Sequence, residues 1–126
     1  MATLTGCGVT GPVTFNLQGG THVIPSTTFG AIVGVNATNT VTFNGGGIGV
    51  DTIAFNAGVA VAFDFNGAQH ITIKNVTIKA TTIDRPVWLH NATHHITFDH
   101  CNILGNATST SSLSCVVAAT STSTSI

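Results

Sequence analysis

Apolar and polar residues alternate along this chain with a period of two. Ile71 and Ile73 point one way from an extended backbone, while His70, Thr72 and Lys74 point the other. After Asn75 the alternation resets, and Val76 and Ile78 return to the apolar side. A strand, a sharp bend at Asn and a second short strand is how a chain wraps around a narrow core. Asn suits the bend because it tolerates left-handed backbone angles and its amide bonds locally. No window carries a convincing 3.6-residue pattern, so essentially no helix is expected.

The pattern recurs. Asn66-Gly-Ala-Gln-His-Ile-Thr-Ile-Lys-Asn-Val-Thr-Ile78 returns 25 positions later as Asn91-Ala-Thr-His-His-Ile-Thr-Phe-Asp-His-Cys-Asn-Ile103. Asn36-Ala-Thr-Asn-Thr-Val-Thr-Phe-Asn44 precedes the first of these by 30 positions, and Val13-Thr-Phe-Asn16 precedes Val41-Thr-Phe-Asn44 by 28. A period of about 20–30 residues in a β-branched chain punctuated by Gly and Asn predicts a solenoid. The expected coils run approximately 8–35, 36–65, 66–90 and 91–115, with a partial fifth over 116–126. Length differences fall to loops such as those at 45–47 and 81–82. Trp88 aligns with Phe63 and Asp64 with Leu89 at the same spacing of 25, as do Leu113 with Trp88 and Cys115 with His90. Trp88, Phe63, Phe43 and Phe98 are therefore expected in the core. The stretch 112–119 reads as the start of a further coil, flanked by Ser/Thr runs of low complexity.

The motifs Gly11-Pro-Val-Thr-Phe-Asn16, Ala37-Thr-Asn-Thr-Val-Thr-Phe43 and Ile71-Thr-Ile-Lys-Asn-Val-Thr-Ile78 resemble the right-handed parallel β-helix, the fold of pectate-lyase-like proteins. More narrowly, they look like repeats of large secreted bacterial surface proteins, which typically carry a C-terminal sorting domain. The resemblance implies an all-β solenoid of about four coils plus a partial fifth, located outside the cell or on its surface. Members of the family usually begin with an amphipathic capping helix. Only residues 1–6 precede the first repeat, so exposed strand edges are expected at both ends.

Composition narrows the function more than it defines it. Charged residues make up 6% of the 126-residue chain, against roughly 25% in ordinary domains. The acids are Asp51, Asp64, Asp84 and Asp99, and the bases besides His are Lys74, Lys79 and Arg85. No basic footprint for nucleic acid exists. Thr, Asn and Gly interrupt every apolar stretch before it reaches membrane-spanning length. The first residues lack the basic and apolar regions of a signal peptide. The three cysteines (Cys7, Cys101, Cys115) show no CxxC spacing, and Cys101, aligned with Val76, reads as an interior thiol.

Stacked coils predict ladders of like residues. Asn36, Asn66 and Asn91 are expected at one bend, Thr42, Thr72 and Thr97 on an outer face, and Lys74 opposite Asp99 as a cross-coil ion pair. Four sequons, at Asn36, Asn75, Asn91 and Asn106, match the glycosylation pattern. His70 aligns with His95, so these two with Asp99 form the candidate metal set. Against it, His94 and His95 are consecutive on an extended chain and should diverge, and His100 takes the bend position of Asn75. No cofactor is expected. Lyase chemistry would need a carboxylate cluster with a Lys or Arg base, and hydrolysis needs paired carboxylates; four scattered Asp supply neither, so no catalytic residue is expected. The expected role is an extracellular structural protein whose copies stack end to end through open β edges, with Ser112, Leu113, Val116 and Val117 in the contact. The alternatives are an adhesin or stalk that binds cell-surface glycans, and a non-catalytic fragment of a polysaccharide-lyase-like enzyme.

Overall fold

In the computed structural model the regular structure of the described residues is almost entirely β. The structure describes residues 2–56, 58, 60–106 and 116–118. One short helix, α1 (Ala2–Cys7), precedes ten strands: β1 (Val13–Asn16), β2 (Gly20–Ile24), β3 (Thr27–Phe29), β4 (Val41–Asn44), β5 (Asp51–Phe55), β6 (Val61–Asn66), β7 (Gln69–Lys79), β8 (Arg85–His90), β9 (His94–Leu104) and β10 (Val116–Ala118). Every strand pairing is parallel. Parallel pairing follows from a repeat in which each strand returns after a full circuit of the chain rather than after a hairpin.

The registers reproduce the sequence spacings on one side of the molecule. Val13, Val41, Ile71 and Ile96 are successive Cα partners, and so are Thr14, Thr42, Thr72 and Thr97. β7 is long because it bends rather than ends. Its first half pairs with β4 and its second half with β5, with Asn75 at φ +57° between them. His100 repeats the bend in β9 at φ +50°. The sheet therefore curls, and Ile71, Ile73, Val76 and Ile78 are all buried on its concave side. A second sheet, in the order β10-β8-β6-β3, contributes Phe63, Phe65, Val87 and Leu89 to the same core. Phenylalanine rings tie the two sheets: Phe55 meets Phe63 edge-on at 4.9 Å and Phe29 meets Phe43 at 5.7 Å.

Glycine is required where backbones touch. A side chain at Gly45 would strike the Asn75 carbonyl, and one at Gly34, whose φ is +86°, would strike that of Val9. Residues 45–47 thus fold tightly onto the β7 bend, with the Gly45 amide donating to Lys74 O and that of Gly47 to Asn75 O, both at 2.9 Å.

Three expectations change. The bare start carries α1, whose Leu4 packs against the core and which ends where the Gly8 amide donates to Leu4 O at 2.8 Å. Six residues are too short to register as a helical period. The β6–β8 register is 24, not 25: Asp64 pairs with Trp88, and Phe63 with Val87. A one-residue shift exchanges the two faces of a strand, so Trp88 leaves the expected core position while Val87 and Leu89 take it. Finally, β10 lies on β8 with Val116 opposite Val87, a spacing of 29 rather than 25. Leu113, Cys115 and Ser112 lie outside the described residues.

Candidate functional site

The residues expected to stack are arranged by two separate amide ladders. Asn91 Nδ2 donates to Asn66 Oδ1 at 2.8 Å. Asn36 does not join that column. Its Oδ1 accepts from the Thr38 and Asn39 amides at 2.8 and 2.9 Å, so it closes its own loop. The second ladder was not anticipated: Asn44 Nδ2 donates to Asn16 Oδ1 at 2.9 Å, and Asn75 Nδ2 to Asn44 Oδ1 at 2.8 Å. Its signal was the terminal Asn of the Val-Thr-Phe-Asn motif, repeated at 16 and 44. Lys74 and Asp99 are Cα partners, yet the carboxylate of Asp99 takes its bond from His100 Nδ1 at 2.6 Å. The neighbouring imidazole on the same strand is nearer than a lysine head that gains more from water.

Imidazoles gather at the start of β7 and β9. His70 and His95 stack at 4.4 Å with ring planes 10° apart. His94 does not diverge from His95; their centroids are 4.9 Å apart. Left-handed angles at His95 (φ +54°) and at His70 (φ +50°) break the alternation that would have separated them. Loss of solvation, then the neighbouring His95 and His94, hold the His70 pKa below its ordinary value. Asp99 is bound to His100 in this arrangement, and among the described residues no group of three or more His, Cys or Asp side chains converges to hold a metal ion.

The register shift creates an outer-face cluster on the second sheet that sequence reasoning missed. Asp64 Oδ1 accepts from His90 Nε2 at 2.6 Å, and its Oδ2 accepts from Thr28 Oγ1 at 3.3 Å. A carboxylate can only accept, so Nε2 carries the proton. His90 stacks on Trp88 at 4.0 Å, and the Arg85 guanidinium lies 5.4 Å from the indole centroid. The result is a half-exposed aromatic flanked by a cation and an oriented imidazole. The arrangement can stack against a flat or apolar surface and accept or donate hydrogen bonds beside it.

The ends of the molecule carry edge strands. β1 and β2 terminate one sheet and β3 the other, so each is paired on one side only among the described residues. Between them a cavity of about 240 Å³ opens, walled by Phe15, Leu17, Ile24 and Phe29 over a floor that includes Phe43 and Phe63. At the other end β9 and β10 are likewise paired on one side among the described residues. Val116 is 36% exposed, and Val117 is the Cα partner of Trp88. No described helix is long and apolar enough to cross a membrane.

Comparison with protein-family models, with curated proteins and with solved structures gives no match.

Proposed function

We propose that the chain is a right-handed parallel β-helix of about four coils and serves as an extracellular or surface structural protein, stacking end to end by strand addition. One observation carries the reading: β1, β2 and β3 present free edges around an open apolar cavity. A parallel edge offers a full row of backbone donors and acceptors, and strand addition needs only those bonds and a matching apolar cross-section. β9 supplies such a match, since Ile96 and Phe98 continue the column of Val13 and Phe15. A contact between different ends propagates unless its rotation closes. Asp64 and Asp99 stand on different sheets, each bound to its own histidine, and Asp51 is buried elsewhere, so these three carboxylates do not form the pair that glycoside hydrolysis needs. Electron microscopy and sedimentation of the purified chain test the proposal. Filaments or concentration-dependent oligomers are expected; discrete monomers at every concentration would overturn it.

The outer position of Trp88 favours a second reading, a stalk that binds cell-surface glycans. Sugar rings stack on exposed indoles beside polar groups such as Asp64 and Arg85. Glycan-array binding lost in Trp88→Ala would support this reading, and binding unchanged by that substitution would exclude it.

A further inference from the structure

We propose that His22 and Asp51 hold a divalent transition-metal ion between β2 and β5. Asp51 opens β5 with its side chain only 1% exposed. Its Oδ2 accepts from the Gly46 amide at 2.5 Å, whereas its buried Oδ1 has no hydrogen-bond partner. A carboxylate oxygen buried without a donor is costly, and its usual explanation is a water or an ion at that position. Across the strand pair, His22 Nε2 stands 3.5 Å from Asp51 Oδ1. Two ligands at about 2.1 Å from a shared ion in tetrahedral geometry are separated by about 3.4 Å. An ion therefore fits between the two side chains almost as they stand.

His22 Nε2 donates to the Gln18 carbonyl at 2.6 Å. Metal binding needs Nε2 free of that proton; the neutral ring carries it on Nδ1 instead, so no net proton is lost, and the released Gln18 carbonyl is available beside the ion as a third ligand. Water fills the rest of the coordination. His22 is 37% exposed, which gives the ion an entry path. One imidazole nitrogen with two oxygens suits Zn²⁺, Co²⁺ or Ni²⁺ better than Ca²⁺ or Mg²⁺, which prefer oxygen alone. The Gly46 amide orients the carboxylate from behind, as outer partners of metal ligands do. The ion would fasten β2, an edge strand, to β5.

Titration of the purified chain with Co²⁺, followed by visible absorption and native mass spectrometry, tests the site. One bound ion per chain with a tetrahedral spectrum is expected, together with a higher melting temperature in Zn²⁺. His22→Ala, at a half-exposed position that does not endanger folding, should abolish the spectrum, as should Asp51→Asn. His95→Ala should leave it unchanged, which separates this site from the imidazole cluster on β7 and β9. No saturable binding, binding that survives His22→Ala, or binding lost in His95→Ala would each overturn the proposal.

Discussion

Replacing Asn75 separates the two contributions of the bend that lets β7 serve two sides of the core. Asn75 holds φ at +57° and donates its amide to Asn44 Oδ1 at 2.8 Å. Alanine removes that bond, worth about 1 kcal/mol net in a partly buried setting. It also places a side chain without local hydrogen bonding in left-handed angles, which costs about 1–2 kcal/mol. The sum is about 2–3 kcal/mol, or a melting temperature lower by about 8–12 °C for a chain of this length. Glycine loses the same amide but takes positive φ freely, so it should destabilise about 1 kcal/mol less than alanine. The converse change, His100→Asn, puts an asparagine at the equivalent bend of β9 (φ +50°) and should stabilise by less than about 1 kcal/mol, the added rung being partly offset by loss of the exposed His100–Asp99 bond. Urea denaturation followed by circular dichroism measures all three. Equal losses for alanine and glycine would refute the backbone part of the argument. No loss in either would refute the ladder itself.

Other expectations can be checked on the same material. Leu89→Ala should lose about 2–5 kcal/mol of stability and Trp88→Ala about 1 kcal/mol or less; the reverse order in chemical denaturation would restore the register of 25. Because His70 titrates below its ordinary value of 6.5, the folded state binds fewer protons there than the unfolded chain. Stability should be full above that pH and fall as pH drops through it, and His70→Gln should flatten this dependence in thermal melts between pH 7.5 and 5. Burial pushes the Cys101 thiol up, while Cys7 is exposed; in a Cys115→Ser background, Cys7 should alkylate well before Cys101 by mass spectrometry.

Much of the fold was legible because its repeats carry their own register. Val13-Thr-Phe-Asn16 and Val41-Thr-Phe-Asn44 differ in no residue, and the spacings 28, 30 and 25 on that side are those of the paired strands. The second sheet was harder to read. Phe63 and Trp88 are both large and aromatic, which favours a spacing of 25, although that spacing sets Asp64 on Leu89 where 24 sets Phe65 there. A single position there decides whether an indole is core or surface. The histidine cluster failed differently. Period-two reasoning assumes extended angles throughout, and His70 and His95 both depart from them. The Asp51 position was hidden because its burial depends on residues 45–47 folding over it, a loop whose contacts no periodicity records. Bends were recognised at Asn75 and at its repeat equivalent His100, and missed at His70 and His95.

A proline at the free edge tests strand addition at the open ends most directly. The amides of Val13 and Leu17 donate to Thr40 O and Asn44 O, so the alternate amides of Thr14 and Asn16 face away from β4. Gly20 likewise donates to Val50 O, which leaves the Thr21 and Val23 amides facing outward. Proline at Thr14 and Val23, the latter 63% exposed, removes donors that only an incoming strand would use. Sedimentation velocity should show large species for the native chain and discrete monomers of unchanged β content for Thr14→Pro/Val23→Pro. Equal assembly of the two proteins, or none by either, would contradict the account.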